Sequence, residues 1–290
     1  MKKIMITGSS GLVGSAVIAK LLQEYEEYEI FAATSKELTS TSKKLHYIPN
    51  SEIEIVMGNE KPELLLQLAF PRNVKEDQWA EGIKFSSDIL WLAQKYKIKR
   101  VINISSQSIY GWGRTKASRE GDGVVLNSPY TTGKYFSELL TENLFEEGCF
   151  TNIRLSTVIA PATKERVPNK LFAQIMAGKN LTVKGGTQIF SFLDVRDAAA
   201  GLAAIISTEK TWRPLYNLGT AEYATLLEIA EKTAEIGKKH GYVSSVTVDP
   251  AEIALNNMLD VTAMKEDFGW EAKYTLQESL EHIFAENYLK

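Results

Sequence analysis

Tyr130 and Lys134 stand four residues apart in Ser128-Pro129-Tyr130-Thr131-Thr132-Gly133-Lys134. On a helix that spacing brings both side chains to one face. A free phenol keeps its proton up to about pH 10. An ammonium close by stabilises the phenolate and brings that proton into working range. Such a pair moves a proton on and off a substrate oxygen while hydride moves to or from a nicotinamide. A hydroxyl placed opposite can hold the same oxygen as negative charge builds on it, and the run Ser105-Ser106-Gln107-Ser108 supplies candidates. A tyrosine and a lysine at this spacing are common on solvated helix faces, so the surrounding elements decide between the two readings.

Those elements are those of a dinucleotide site. Thr7-Gly8-Ser9-Ser10-Gly11-Leu12-Val13-Gly14 follows the apolar run Ile4-Met5-Ile6 and opens into helical apolar spacing through Leu22. Strand, glycine-rich turn and helix in that order make a glycine pattern a cofactor loop. Gly8 permits the turn, Gly11 lets backbone approach a pyrophosphate at the helix N-terminus, and Gly14 lets helix and strand pack closely. The second strand, Glu29 to Ala33, ends at Thr34-Ser35-Lys36, where an acid for the adenosine ribose is expected. Hydroxyls and an ammonium there suit a 2′-phosphate, which favours NADP with NAD as the alternative. If Lys36 is only solvated, Glu37 does the ribose work.

Leu45 to Ile48 reads as a third strand, and Ser51-Glu52-Ile53-Glu54 as a capping box for a short helix ending at Gly58. The continuous run Leu64 to Ala69 reads as a central parallel strand closed by Pro71. Trp79 to Tyr96 has the spacing of a long core helix, and Val101 to Ser106 that of a buried strand whose polar end lies where open parallel sheets place ligands. The helix containing Tyr130 carries Phe136, Leu139, Leu140 and Leu144 on one stripe, and Phe150 to Ile159 reads as a further strand. Beyond Pro161 elements shorten, and Leu215 to Gly219 reads as one more sheet strand. The fold class is therefore α/β, a doubly wound parallel Rossmann sheet with a smaller, interleaved C-terminal cap. Residues 1–160 form the NAD(P)-binding domain, with returns at about 188–219, and 161–290 are mainly the substrate-binding cap.

The 290 residues are 44% hydrophobic and 24% charged with formal net charge −3, an ordinary globular composition. No basic balance points to nucleic acid or a membrane surface. Cys149 is the one cysteine, which suits a reducing cytoplasm, and neither a signal peptide nor a bilayer-crossing run is expected. His46, His240 and His282 are far apart in sequence, so no metal site is expected.

Together the glycine turn, the serine-ended strand and Tyr-x-x-x-Lys resemble the extended short-chain dehydrogenase/reductase family, in its sugar epimerase/dehydratase-like branch. Ile104 to Gly111 is similar to that family's serine segment, and Phe192 to Ala199, Tyr216 to Gly219 and Phe268-Gly269-Trp270 resemble its C-terminal landmarks. The resemblance implies Tyr130 as acid/base, Lys134 as holder of the nicotinamide ribose, and Ser106 as the group orienting the substrate oxygen. Cofactor contacts are Gly8, Ser10, Gly11, Leu12, Val13, Gly14, Thr34, Ser35, Lys36, Ala69, Tyr130 and Lys134. Substrate contacts are Ser106, Gln107, Thr157 and Phe190.

The departures from that pattern narrow the chemistry. Gln107 and Ser108 stand where dehydratases carry Asp-Glu, so elimination of water is not expected. Phe190 replaces an arginine that grips a diphosphate, and Asp194 replaces the histidine of the same segment. An apolar ring cannot pair with a diphosphate, which argues against the usual nucleotide diphosphate sugars. Gly82 aligns where an Asn supports the catalytic lysine through water, and Phe70-Pro71-Arg72 replaces a run of small residues, with Arg72 a candidate contact for phosphate. The expected protein is an NAD(P)-dependent oxidoreductase or epimerase acting at a hydroxyl/carbonyl carbon of a sugar-like or other small polar substrate. The alternative is a non-catalytic NAD(P)-binding sensor or scaffold. Relatives often pair through two long helices, which makes a homodimer a candidate assembly.

Overall fold

The computed structural model describes residues 1–71, 76–253 and 255–289, excluding the side chains of 76 and 77. The elements run β1 (Lys2–Thr7), α1 (Leu12–Glu24), β2 (Tyr28–Thr34), β3 (Leu45–Pro49), α2 (Ile53–Glu60), β4 (Leu64–Gln67), α3 (Glu76–Lys95), β5 (Arg100–Ser106), α4 (Pro129–Leu144) and β6 (Phe150–Leu155). They continue β7 (Thr157–Ile159), α5 (Val167–Met176), β8 (Leu181–Lys184), β9 (Ile189–Phe190), β10 (Phe192–Asp194), α6 (Val195–Ser207) and β11 (Leu215–Leu218). The chain closes with β12 (Ala224–Thr225), α7 (Leu226–Lys239), β13 (Val246–Asp249), β14 (Asn256–Asn257), α8 (Thr262–Phe268) and α9 (Leu276–Tyr288). No helix among the described residues is long and apolar enough to cross a membrane.

The chain divides into two compact units, the first comprising 1–111, 123–155 and 199–217, the second 112–122, 156–198 and 218–290. The first is built on a seven-stranded sheet in the order β11-β6-β5-β4-β1-β2-β3, with parallel ladders from β3 through to β6. The order reverses between β1 and β4, so the loops after those two strands border the crevice of an open α/β sheet. On one face Met5, Phe31, Leu65 and Val101 pack against Ile53, Met57, Ile89 and Leu90 of α2 and α3. Strands buried on both faces explain why β1 and β4 read as continuous apolar runs.

Several expectations need correction. The helix around Ile53 is not capped by Ser51, which lies in a 3₁₀ turn over Asn50–Glu52. The helix runs past Gly58 and stops where Lys61 takes a left-handed conformation at φ 48°. β4 ends at Gln67 rather than Ala69, because the Leu68 and Ala69 amides both donate to the Thr7 hydroxyl at 3.2 Å and leave the ladder. The Phe150 to Ile159 run is two strands broken at Ser156, whose amide donates to Leu218 O and whose hydroxyl donates to Ser191 O. The apolar stripe of α4 divides, with Leu140 and Leu144 packed against the core while Phe136 is 44% and Leu139 40% exposed. The buried face is Thr131, Gly133, Lys134, Ser137, Glu138 and Thr141.

In the second unit β7 pairs in parallel with β10, β8 with β13, and β9 lies between β12 and β14. Its core joins Phe172 of α5, Ile229 of α7 and Leu280 and Phe284 of α9. Both α7 and α9 begin with reciprocal Thr–Glu capping boxes, which satisfy amides at the helix start that would otherwise be orphaned.

Candidate active site

The glycine loop is shaped by what its residues lack. Gly8 has φ +66°, and a Cβ there would lie 2.9 Å from the Ala69 amide nitrogen. A Cβ on Gly14 would lie 2.5 Å from Gly8 O, and one on Gly11 3.1 Å from the same oxygen. The turn therefore lies close against both the start of α1 and the exit of β4. Ser9 fastens it to β2, its amide and hydroxyl both donating to Ala33 O at 3.2 and 2.8 Å. No side chain caps α1 and no carboxylate stands in its first turn. The amides and positive dipole end at Leu12 and Val13 are therefore left for an anion.

At the far end of the cradle Thr34 is buried, and its hydroxyl donates to Ser10 Oγ at 2.9 Å while accepting the Lys36 amide at 3.0 Å. Thr34 is thus a brace between β2 and the glycine loop. Ser35 and Lys36 are exposed, and no carboxylate lies among 34–36.

The Ser128/Thr131 capping box and Pro129 start α4, which places Tyr130 in its first turn and Lys134 one turn further in. Lys134 is 5% exposed and its ammonium donates to Ile104 O at 2.5 Å, two residues before Ser106. Ser106, buried at the end of β5, accepts the Ser108 amide on Oγ at 3.2 Å. An acceptor bond leaves the Ser106 proton free to donate to a substrate oxygen. Lys134 thus reaches the serine-ended strand from α4, with Tyr130 one turn before it on the same helix, all within the first unit.

A polar layer anchors α4 beneath them. Asn103 donates to Ser137 Oγ at 3.2 Å and to Asn152 Oδ1 at 2.8 Å. Arg154 makes a two-pronged pair with Glu138, at 3.2 Å from Nε and 2.8 Å from Nη2. Its guanidinium carbon also lies 4.7 Å from the Tyr110 ring centre, and the Tyr110 hydroxyl donates to Asn217 at 2.8 Å. Burial pushes the Arg154 guanidinium down, and Glu138's hydrogen bonds and charge more than reverse that, leaving it above its ordinary range.

The sequence departures cluster physically. A Cβ on Gly82 would lie 2.0 Å from Pro71 Cγ, and one on Gly133 2.8 Å from Phe70 Cζ. Phe70 and Pro71 therefore occupy room that side chains on α3 and α4 would need. Phe70 meets Tyr130 edge to face at 5.8 Å and 78°, and Trp79 meets Tyr130 at 5.8 Å and 65°. Lys134's ammonium lies 4.4 Å from the Phe70 ring centre. Sequence reasoning registered Phe70 and Gly82 only as missing family residues and gave no role to Trp79. The available signal was a bulky Phe-Pro step with glycines on both later helices. Arg72 lies outside the described residues.

Of the other candidates, Gln107 is buried in the 3₁₀ turn after β5. Thr157 begins β7 and Phe190 lies in β9, both in the second unit. Phe190 is half-buried on that unit's core and stacks on Phe192 at 5.4 Å. Asp194 binds the Arg196 amide at 2.8 Å and guanidinium at 2.8 and 2.7 Å. Burial pushes its carboxyl up, and Arg196 more than offsets that, holding it below the ordinary range. Arg196 in turn covers Tyr274 at 3.5 Å, so Asp194 serves as an ion-pair partner at the start of α6.

The family model described as NAD dependent epimerase/dehydratase family matches residues 4–219. The chain is 22% identical to dTDP-D-glucose 4,6-dehydratase of Bos taurus, over 96% of this chain and 86% of that protein. It is 26% identical to UDP-glucuronic acid decarboxylase 6 of Arabidopsis thaliana, with the same coverage, 96% and 86%. Among solved structures it resembles UDP-glucose 4-epimerase of Thermotoga maritima with UDP-glucose, with TM-score 0.82, 22% identity and coverage of 99% of this chain and 98% of that one. It also resembles dTDP-glucose 4,6-dehydratase of Bacillus anthracis in complex with NAD, with TM-score 0.82, 19% identity and coverage of 100% and 97%.

Proposed function

Because the chain belongs to the NAD dependent epimerase/dehydratase family, we propose that it is an NAD(P)-dependent oxidoreductase or epimerase acting at a hydroxyl/carbonyl carbon. The observation that carries this reading is Lys134, a buried ammonium bonded to the carbonyl two residues before Ser106 and one helical turn from Tyr130. Burying a charge is costly, and a solvated helix face does not require it. The cradle fits a dinucleotide, because glycine at 8 and 14 lets the turn close against the exit of β4 and the start of α1, and α1 begins without a side-chain cap, which leaves its first amides for a pyrophosphate.

In this reading the amides of Leu12, Val13 and Gly14 hold the pyrophosphate, with Ala69 lining the opposite wall. Lys134 holds the nicotinamide ribose. A bound nicotinamide would supply the hydride chemistry, accepting or delivering hydride once for a net oxidation or reduction and both in turn for an epimerisation. Ser106 donates to the substrate oxygen, and Tyr130 passes its proton to or from that same oxygen as the carbon changes oxidation state. Neither Gln107 nor Ser108 can act as a carboxylate acid or base, so elimination is not part of the reaction. The substrate is sugar-like or another small polar alcohol or ketone, contacted by Ser106, Gln107, Thr157 and Phe190. Phe190 offers no charge to a diphosphate. A thermal-shift and turnover panel of nicotinamide dinucleotides with sugars, nucleotide sugars and small ketones tests this. Cofactor binding with no turnover across the panel would move the assignment to a sensor.

For the adenosine end we assign NADP ahead of NAD, on the exposed Lys36 and the absence of a carboxylate at 34–36. Lys36→Ala is expected to weaken NADP⁺ binding about tenfold, the scale of one charge-assisted hydrogen bond, and to leave NAD⁺ within twofold by calorimetric titration. Equal losses for both cofactors would overturn the assignment. The lone Cys149 supports a cytoplasmic setting.

We further propose a homodimer through α3 and α4. Trp91 is 54% exposed, and Phe136 and Leu139 form the outward stripe described above. Trp91→Lys with Phe136→Lys is expected to give a monomer in sedimentation, while a wild-type monomer at micromolar concentration would refute the pairing.

A further inference from the structure

We propose that Phe70 is a positioning residue, its ring face holding the Lys134 ammonium beside Tyr130 in place of a polar side chain on α3. The inference rests on the reading that Lys134 contacts the nicotinamide ribose. The ammonium donates to the Ile104 carbonyl at 2.5 Å and lies 4.4 Å from the Phe70 ring centre. The first fixes its distance from β5. The second lays an aromatic face against a cation whose burial is costly. An aromatic face attracts a desolvated ammonium through its quadrupole.

The ring is placed deliberately. Its Cζ would lie 2.8 Å from a Cβ on Gly133, beside Ile83 Cγ1 at 2.9 Å, and Cγ of the next residue, Pro71, would lie 2.0 Å from a Cβ on Gly82. No side chain on residue 82 can reach toward Lys134 while Pro71 keeps that place. The ring also touches the reactive phenol edge-on and leans on Trp79 at 6.2 Å. One side chain therefore sets the relation between the ammonium and the phenol.

Two variants separate the ring's electrostatics from its bulk. Phe70→Leu removes the π face. Replacing Phe70 by 3,5-difluorophenylalanine keeps the ring and depletes its negative face. With lysine labelled at ¹³Cε, the Lys134 signal, assigned by its loss in Lys134→Met, is expected upfield in the wild type and at ordinary position in Phe70→Leu. The dissociation constant for NADP⁺ is expected to rise about fivefold in Phe70→Leu, with the difluoro protein between it and wild type. Circular dichroism confirms folding of each. An unshifted Lys134 signal in the wild type, or a difluoro protein that binds like wild type, overturns the role of Phe70. If Lys134→Met binds NADP⁺ as tightly as wild type while the Lys134 signal is shifted, the ring's hold stands and the ribose assignment falls.

Discussion

Tyr130→Phe is expected to lower turnover by about 10² to 10⁴-fold, the range that a positioned acid/base supplies, while NADP⁺ affinity changes less than twofold. The phenol oxygen is the one atom removed. The ring remains edge-on to both Phe70 and Trp79 at 5.8 Å, so the aromatic packing survives. Lys134 keeps its bond to Ile104, so the ribose contact proposed for it is not disturbed. A steady-state assay on the substrate found in the panel, with parallel calorimetry, checks both halves. Turnover within tenfold of wild type would show that another group moves the proton.

The second large effect lies beneath the site. Glu138→Ala is expected to cost about 3–5 kcal/mol of stability, because it strands the Arg154 guanidinium where little water reaches it. The paired side chains are 5% and 1% exposed, so solvent screening offers little relief. Urea unfolding at neutral pH measures the loss. Replacing both partners, Glu138→Leu with Arg154→Met, is expected to recover most of it, since the penalty comes from the unpaired charge more than from the missing pair. A single variant within 1 kcal/mol of wild type would show that water or Tyr110 compensates the charge.

The two predictions concern the first turn and the middle of one helix, and α4 marks the limit of what the sequence could convey. The glycine loop was legible because each of its residues acts locally, between a strand and a helix with strong periodicity. The placement of Tyr130 and Lys134 one turn apart on a helix, with Lys134 reaching the serine strand, followed from their spacing. The inward face of α4 was not legible. Phe136 and Leu139 share a stripe with the core-packed Leu140 and Leu144 yet lie outside, because the sheet beneath presents Asn103, Asn152 and Arg154 and polar residues on α4 turn inward to meet them. The break at Ser156 was hidden for a similar reason, since its partners lie at 191 and 218. The Ser51 cap failed because a preceding 3₁₀ turn moved the true helix start to Ile53. Phe70 was visible as an oddity, but its purpose depends on two distant positions with no side chain.

The Phe70-Pro71 step also constrains how this protein can change. With Phe70 in place, alanine at 133 meets the ring at 2.8 Å as well as Ile83 at 2.9 Å, and with Pro71 in place, any residue at 82 larger than hydrogen collides with the pyrrolidine. Shrinking residue 70 alone strands a void between two bare backbones. The four positions are therefore epistatic. Grafting an asparagine relay at 82 by single steps must cross a defective intermediate, and mutational scans should find these sites intolerant one at a time yet permissive as a set.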